Sequence, residues 1–338
     1  MNLSTTYLGL HLDNPLISGA SPLADDLDTV RRLEDAGAAA IVLRSLFQEQ
    51  IEREFDDSAE QLQMYADSFT ETSNFFPGAR DFVLDPQTYL EQLKRVKTAV
   101  DIPVIASLNG TTPSGWLYYA KLMEQAGADA LELNVYHVAT NVRETSMDIE
   151  KRILDTVRHL RREVKIPLAI KLSPFFTSLP HLAMDLRVAG VDGLVLFNRF
   201  YQPDIDLDAL DVIPQLHLSD SSELLIRLRW LAILSGRTTA SLAASGGVHT
   251  ATDIVKAIMA GAHVVQLVSV LLKRGPEYLG VLLNEFRQWM NENQYDSVGR
   301  MRGSLSLGHC PDPAAFERGN YMRVLANWRP VANGATKA

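Results

Sequence analysis

Short apolar segments alternate along the chain with longer stretches in which apolar residues recur at helical spacing. Eight segments of four or five mostly apolar residues have the length and composition of buried parallel strands. They are Pro15–Ser18, Ala40–Leu43, Pro103–Ser107, Ala130–Asn134, Leu168–Lys171, Gly193–Phe197, Ser241–Ala244 and Val264–Leu267. The amphipathic stretches predict helices over Asp25–Ala36, Pro86–Val100, Pro113–Gln125, Met147–Val164, Leu179–Ala189, Ser221–Leu234, Ala251–Ala260 and Pro276–Asn293. Eight alternating strand–helix units predict an α/β protein whose parallel sheet closes into a single (β/α)8 TIM barrel.

A recurring Ala-Gly-(Ala/Val) tripeptide marks four junctions between a helix and the next strand. Glycine can take the left-handed conformation that ends a helix, so each copy indicates where a helix stops. The copies are Ala36-Gly37-Ala38, Ala126-Gly127-Ala128, Ala189-Gly190-Val191 and Ala260-Gly261-Ala262. An open doubly wound sheet is the alternative, but the Gly-x-Gly-x-x-Gly motif after its first strand is missing.

Two segments are longer than ordinary connections. Gln48–Asp85 follows the second predicted strand and Arg199–Ser222 follows the sixth. Both leave carboxyl ends of barrel strands, where barrel active sites are built, so they are interpreted as lids or substrate walls. Decoration of the fold or an oligomer contact is the alternative. Residues 1–295 are predicted to form the barrel, and residues 296–338 an extension packed on it, with a helix over Pro313–Ala326.

Composition is typical of a globular protein and narrows the chemistry. The 338 residues are 46% hydrophobic and 22% charged, which excludes disorder, collagen and coiled coil. A net charge of −9 argues against a nucleic-acid-binding face. The single cysteine, Cys310, excludes an internal disulfide and an iron–sulfur cluster, so redox chemistry needs an organic cofactor. Without a signal-like start or an 18-residue apolar run, the sequence predicts a cytoplasmic protein with no membrane contact.

Polar side chains follow most of the predicted strands. Because the carboxyl ends of barrel strands meet at one mouth, we expect these side chains to converge there. They are Ser21, Arg44, Ser45, Ser107, Asn109, Asn134, His137, Lys171, Asn198, Arg199, Ser245-Gly246-Gly247 and Ser269. The Gly-Gly turn and Val268-Ser269 follow the last two strands, where barrels often bind phosphate through backbone N–H groups. Ordinary loop geometry is the alternative explanation of the Gly-Gly pair.

The order of these motifs resembles the class 1 dihydroorotate dehydrogenases, which are FMN-containing (β/α)8 enzymes. The resemblance runs from about residue 3 to 295. The stretches that carry it are Asn14–Ser21, Glu132–Asn134, Ile170–Phe176, Ser245–Gly247, Gln266–Ser269 and Lys273–Pro276. It implies a homodimeric, FMN-dependent oxidoreductase of pyrimidine biosynthesis. Such an enzyme acts on a CH–CH bond next to a carbonyl in a small carboxylated, dihydroorotate-like molecule.

The resemblance also implies which residues contact the cofactor. They are Ala20, Ser21, Arg44, Ser45, Asn134, Lys171, Asn198, Gly246, Gly247, Val268 and Ser269. Lys171 would lie at the flavin, where a cation favours the anionic reduced form. The alternative for Lys171 is a barrel lysine paired with a carboxylate.

The substrate side departs from the family pattern. His137 stands where the family carries its catalytic cysteine or serine, and Val138-Ala139 stands where it carries Pro-Asn. A free imidazole titrates near pH 6.5, closer to neutrality than a free thiol near 8.5, which makes His137 a candidate base. A loop histidine bonded to backbone is the alternative.

Three further residues are assigned to substrate binding: Asn74, Asn109 and Arg199. Arg199 would hold a substrate carboxylate or, in the alternative, pair with Asp204 or Asp206.

Two other functions stay open. Lys171 can serve a Schiff-base lyase or aldolase, or the protein can bind FMN without dehydrogenase activity, in electron transfer or regulation. The histidines show no metal-ligand spacing, so no metal is predicted. The sequence shows no motif for NAD, and a separate electron acceptor is expected.

Overall fold

The computed structural model describes residues 1–52, 85–111, 117–199, 201–214 and 216–327. Asn74 and most of the first long segment lie outside this part of the chain. The strands within it are β1 (Thr5–Tyr7), β2 (Leu10–Leu12), β3 (Leu16–Ser18), β4 (Ile41–Val42), β5 (Leu46–Phe47), β6 (Val104–Asn109), β7 (Ala130–Asn134), β8 (Leu168–Leu172), β9 (Gly193–Leu196), β10 (Pro203–Asp206), β11 (Asp211–Pro214), β12 (Ser241–Ser245) and β13 (Val264–Leu267).

Eight parallel strands close into a barrel. Their order is β3, β4, β6, β7, β8, β9, β12 and β13, and the pairing of β13 with β3 completes the circle. The short strand β5 continues from β4 and pairs with the carboxyl end of β6. The predicted (β/α)8 barrel is therefore confirmed, and each of its eight predicted strands lies within two residues of an observed one.

Helices follow the strands, and most of them pack around the barrel. They are α1 (Leu27–Asp35), α2 (Pro86–Ala99), α3 (Leu117–Gln125), α4 (Ser146–Glu163), α5 (Leu179–Ala189), α6 (Leu224–Leu234), α7 (Ala251–Ala260), α8 (Ser269–Arg274), α9 (Tyr278–Glu292), α10 (Val298–Met301) and α11 (Gly319–Asn327). Reciprocal capping boxes fix the starts of α4 and α7, with Thr145 bonded to Asp148 and Thr250 to Asp253. These caps satisfy N–H groups that the first helical turn leaves without a partner.

Strand residues alternate between two buried environments. Leu131 and Leu133 of β7 face the helices and join the large outer core. Ala130 faces inward and belongs to a smaller core inside the barrel, together with Ala169 and Val264. Because side chains alternate along a strand, Glu132, Lys171 and Gln266 also face the interior, one layer closer to the mouth.

The β1–β2 hairpin closes the amino end of the barrel. Tyr7 and Leu8 are buried in the inner core. Leu8 N–H donates to Ser241 Oγ at 3.2 Å, and Thr5 Oγ1 donates to the His263 carbonyl at 3.0 Å. The hairpin fits closely because Gly193 has no side chain, and a Cβ there would lie 2.4 Å from Leu8 Cδ2.

The second long segment contains an antiparallel hairpin, β10–β11, which the sequence analysis did not predict. Several of its apolar side chains are exposed, with exposed fractions of 79% for Leu207 and 85% for Leu210. Past α9, backbone N–H groups of Gly303 and Leu307 bond to carbonyls of α7 and α6, whereas α11 has no buried residue. No helix in the described parts of the chain is both long enough and apolar enough to cross a membrane.

Candidate active site

A charged cluster lies inside the barrel just below the mouth. Lys171 Nζ donates to Glu132 Oε1 at 3.3 Å and to Gln266 Oε1 at 3.1 Å. Gln266 Nε2 donates to Glu132 Oε2 at 2.5 Å and closes the cluster. Only 1% of Glu132 and 6% of Lys171 is exposed. The carboxylate partner considered for Lys171 is therefore present, and it is Glu132.

Two predicted cofactor residues meet beside this cluster. Asn134 Nδ2 donates to Ser45 Oγ at 2.6 Å and to Ser107 Oγ at 3.1 Å. The two serine hydroxyls lie 2.8 Å apart, and the Tyr89 hydroxyl bonds to the backbone of Ser107. Asn134 Oδ1 is buried and has no hydrogen-bond partner among the described residues. This carbonyl oxygen is therefore available to a ligand.

The turn after β3 and the end of β4 form the next part of the rim. Ala20 packs against the inner core, and the buried Ser21 hydroxyl has no hydrogen-bond partner in the part of the chain that is described. Arg44 Nη1 donates to Asp25 Oδ2 at 3.0 Å. Burial raises the pKa of the Asp25 carboxyl, and the Arg44 guanidinium opposes that rise. Arg44 is thus held by a carboxylate at the rim.

The Gly-Gly turn after β12 and the start of α8 converge on Ser219. Gly247 N–H donates to Ser219 Oγ at 3.3 Å, and this oxygen lies 2.9 Å from Ser269 Oγ. Lys273 Nζ donates to the Ser219 carbonyl at 2.9 Å, and His249 Nε2 lies 3.4 Å from Ser219 Oγ. Burial, and then the Lys273 charge, lower the pKa of His249. Two predicted phosphate ligands, Gly247 and Ser269, thus point at one place beside a lysine.

A buried arginine supports this turn from behind. Arg227 Nε donates to the Ser245 carbonyl at 2.9 Å, and Arg227 Nη1 donates to the Glu223 carbonyl at 2.5 Å. Both Gly246 and Gly247 have positive φ angles, 89° and 81°. A Cβ at Gly247 would lie 2.4 Å from the Leu224 backbone nitrogen, so the turn has room only for glycine.

Arg199 lies at the edge of the same network. Its Nη1 is 3.2 Å from Glu223 Oε1, close enough for an ion pair but not aligned for a hydrogen bond. The predicted alternative partners, Asp204 and Asp206, are wrong. Asp206 accepts backbone N–H groups of the β10–β11 turn, and Asp204 is exposed. Among the described residues, Arg199 therefore forms its ion pair with Glu223 and with neither of these aspartates.

Backbone pairing places the two predicted asparagines of the rim. Asn109 pairs in register with Asn134, which in turn pairs with Lys171 on β8. Asn198 follows β9, and its N–H donates to the Leu172 carbonyl at 2.7 Å. Asn109 therefore lies two strands away from Lys171, and Asn198 follows the strand beside it.

His137 belongs to a separate cluster with two residues further along the chain. His137 Nε2 lies 3.1 Å from Glu144 Oε2 and 3.2 Å from Arg152 Nη2. Arg152 Nη1 also pairs with Glu144 Oε1 at 2.6 Å. The hydrogen bonds from Arg152, and then from His137, lower the pKa of Glu144, so this carboxylate is ionised at neutral pH. The side chain of His137 contacts an acid and a base rather than backbone.

These features fit a flavin mononucleotide. Asn134 Oδ1 and Ser21 Oγ are buried polar atoms without partners in the described ranges, and such atoms cost free energy unless a ligand or water satisfies them. At the Gly-Gly turn, the Gly247 N–H and the Ser269 hydroxyl meet at the Ser219 hydroxyl, with Lys273 on the Ser219 carbonyl, and a phosphate held by these donors would take the place of Ser219. No group of three or more His, Cys, Asp or Glu side chains in the described residues is placed to hold a metal ion.

Comparison with known proteins agrees with this geometry. A family model described as dihydroorotate dehydrogenase matches residues 2–290. The chain belongs to the dihydroorotate dehydrogenase family. It is an oxidoreductase that acts on a CH–CH bond, and the sequence resemblance is confirmed.

Curated relatives match nearly the whole chain at low identity. The chain is 26% identical over 308 residues to a protein of Thermoplasma acidophilum named dihydroorotate dehydrogenase B (NAD(+)), catalytic subunit. That match covers 89% of this chain and 98% of the relative. A protein of Pyrococcus furiosus with the same name is 24% identical over 308 residues, covering 90% of this chain and 98% of the relative. These relatives agree with the family that the family model shows.

Sequence analysis missed the residues that support the predicted ones. They are Glu132, Gln266, Ser219, Arg227, Glu144, Arg152 and Glu223. Glu132 and Gln266 carried a signal, because each is a polar residue inside an otherwise apolar strand. The partners in loops and helices carried no comparable local signal.

Proposed function

We propose that this family member is an FMN-dependent oxidoreductase acting on a small carboxylated, dihydroorotate-like substrate, with His137 as its proton-transfer residue. One observation carries the proposal. Two buried polar atoms at the mouth of the barrel, Ser21 Oγ and Asn134 Oδ1, have no hydrogen-bond partner among the described residues. The barrel belongs to the dihydroorotate dehydrogenase family and carries a Gly-Gly turn at the same mouth. Dihydroorotate is the first substrate to test because the relatives are named for it.

The cofactor would be held by residues on neighbouring strands. Ala20, Ser21, Asn134 and Lys171 would contact the flavin and its ribityl chain, and Gly247 with Ser269 would hold the phosphate. When bound, FMN supplies the hydride acceptor or donor for the CH–CH bond. Arg44, Ser45, Asn198, Gly246 and Val268 complete the proposed set.

His137 would move the proton. Glu144 fixes the ring by accepting a hydrogen bond from Nε2–H, in the manner of a carboxylate that orients a catalytic imidazole, and this tautomer leaves Nδ1 without a proton. Both contacts use Nε2, so we assign proton transfer to Nδ1. A positioned imidazole accelerates such a step by about 10²–10⁴-fold.

Arg199 would bind the substrate carboxylate. Its Nη1 is buried and has no aligned acceptor among the described residues, because Glu223 contributes charge without a hydrogen bond. A guanidinium with a free donor binds a carboxylate well, since two parallel N–H groups match its two oxygens. Asn109 and Asn74 are proposed to bind the substrate as well.

The purified protein tests the proposal directly. It should be yellow, release FMN on denaturation, and lose its flavin absorbance on anaerobic addition of dihydroorotate or a related dihydro-carboxylic acid. His137→Ala should retain FMN and slow this reduction by about 10²–10⁴-fold. His11→Ala, an exposed histidine in β2, is the matched control and should keep the full rate.

The outcomes separate the alternatives. A colourless protein that cannot be reconstituted with FMN contradicts the proposal. A yellow protein that no substrate in a broad screen reduces favours a role in electron transfer or regulation. A lyase would need Lys171 Nζ free to attack a carbonyl carbon, whereas this nitrogen donates to a carboxylate and an amide. Borohydride trapping with carbonyl compounds is therefore expected to label nothing.

We also propose a homodimer and a separate electron acceptor. Twofold dimers are the commonest assembly of soluble proteins, and the family resemblance favours one here. The relatives' name, catalytic subunit, supports a second protein that takes the electrons. Sedimentation of a monomer at micromolar concentration would contradict the dimer.

A further inference from the structure

The Glu132–Lys171–Gln266 cluster is the most buried set of charges at the candidate site, taken over the described residues. Each member bonds to both others: Lys171 Nζ to the Glu132 carboxylate and the Gln266 carbonyl oxygen, and Gln266 Nε2 to the second carboxylate oxygen. The three residues come from three different barrel strands. Each side chain therefore holds the other two in one arrangement.

The layer below the cluster carries no charge that could screen it. This layer, toward the amino end, contains Tyr7, Ala130, Ala169 and Val264, all fully buried. Burial, and then the charge of Glu132, raise the pKa of the Tyr7 phenol well above its ordinary value, so this phenol stays neutral. The β1–β2 hairpin closes that end to water. Within the described part of the barrel, Glu132 is thus the residue that compensates the positive charge of Lys171.

We propose that Glu132 and Gln266 are positioning residues for Lys171, and that Glu132 sets how strongly the charge of Lys171 acts on a flavin at the mouth. This inference rests on the proposed function, since it requires FMN to bind beside Lys171. An isolated cation there would favour the anionic reduced flavin. With a carboxylate 3.3 Å from Nζ, a flavin experiences a dipole with much less net charge.

Three variants test this coupling: Glu132→Gln, Lys171→Met and the double variant. Glutamine keeps the shape of Glu132 but removes its charge. The equilibrium for two-electron reduction of bound FMN should therefore shift toward the reduced form at least tenfold, which corresponds to about 30 mV. Lys171→Met should shift it in the opposite direction. The double variant should match Lys171→Met, because a buried carboxylate without its lysine takes up a proton and is then equivalent to glutamine.

A matched control removes the same charge elsewhere beside β7. Asp129 precedes that strand at the amino end of the barrel and pairs with Lys97 at 2.6 Å. Asp129→Asn should leave the reduction equilibrium within twofold of the wild type. The potentials are measured by equilibration with a reference dye, and the ionisation of reduced FMN is followed in its absorption spectrum. Glu132→Gln should lower the pH at which the reduced flavin becomes anionic.

Unfolding of the apoproteins gives a readout that does not involve FMN. Each single variant leaves one buried polar partner unmatched, so both should unfold at lower urea concentration, whereas the double variant should regain part of the loss. If Glu132→Gln fails to fold, the unfolding free energies of Lys171→Met and the double variant still test the coupling, because the double variant must then be the more stable of the two.

The outcomes distinguish the inference from the proposed function. A wild-type protein that takes up no FMN overturns the proposed function. FMN-loaded Glu132→Gln with a reduction equilibrium within twofold of the wild type overturns the inference alone. A double variant whose loss of unfolding free energy equals the sum of the two single losses overturns the inference as well.

Discussion

Gly247→Ala should lower the free energy of unfolding by more than the addition of a single methyl group would suggest. The variant adds one methyl group at a φ angle of 81°. A left-handed backbone costs a non-glycine residue about 1–2 kcal/mol. The new Cβ would also lie 2.4 Å and 2.8 Å from Leu224 N and Cα, and 2.9 Å from the Glu223 carbonyl carbon. These are backbone atoms at the start of α6, so displacing them adds about 1–3 kcal/mol.

Gly236→Ala separates the two contributions. Gly236 has a similar φ angle of 76°, but a Cβ added there would meet no atom of the described residues within 4 Å, apart from its chain neighbours. This variant should therefore lose only the backbone term of about 1–2 kcal/mol, against about 2–5 kcal/mol for Gly247→Ala. Urea unfolding of both apoproteins, followed by circular dichroism, measures the difference.

Cofactor binding provides the second assay. Gly247 N–H points at the Ser219 hydroxyl in the proposed phosphate site, so moving this turn should weaken FMN binding at least tenfold by fluorescence titration. Gly236 lies past the end of α6, and its variant should bind FMN as the wild type does. Equal stability losses in the two variants, with unchanged FMN affinity in both, would refute the steric reasoning.

Three further predictions concern single side chains. Burial, and then the Arg302 charge, lower the pKa of His263 to about 4, whereas a free imidazole titrates near 6.5. Neutral His263 therefore contributes about 3 kcal/mol to the free energy of unfolding above pH 6.5, and this contribution is lost as the pH falls toward 4. His263→Asn keeps an acceptor for the Leu242 N–H and should flatten the slope of unfolding free energy between pH 4 and 6.5 relative to the wild type; identical slopes would contradict this. Lys273→Met should weaken FMN on the order of 10- to 100-fold but riboflavin less than twofold, since only FMN carries the phosphate; equal losses would exclude a phosphate contact. Arg199→Met should raise KM for a carboxylated substrate about tenfold or more at unchanged FMN affinity, and an unchanged KM would remove Arg199 from the substrate site.

The barrel was predictable because its signal is local and repeated. Each strand is an apolar run, and helices such as α1, α2, α4 and α7 begin at a side-chain cap, so eight units could be counted without knowing how they meet. The β10–β11 hairpin was missed because its strands are only four residues long and lie inside a segment interpreted as a loop. The β1–β2 hairpin was missed because its strands are only three residues long.

The site was predictable only at the ends of strands. Asn134, Ser45, Gly247 and Ser269 were found because the mouth of a barrel collects strand ends. The pairing of Arg199 with Glu223 instead of Asp204 depends on where a hairpin turns, and no spacing rule contains that information. His137 was found by its position, but its acid partner Glu144 comes from the turn that precedes α4.

The closing hairpin at the amino end has a consequence for how the protein is made. Its partners lie far along the chain: Leu8 bonds to a residue 233 positions later and Thr5 to one 258 positions later. At about 5–20 residues per second, a ribosome needs on the order of 10–50 s to deliver them. During that time Tyr7, Leu8 and Leu12 have no barrel to enter. The β1–β2 hairpin is therefore synthesised well before the strands that bury it, and a nascent chain stopped before β12 presents it to chaperones and proteases.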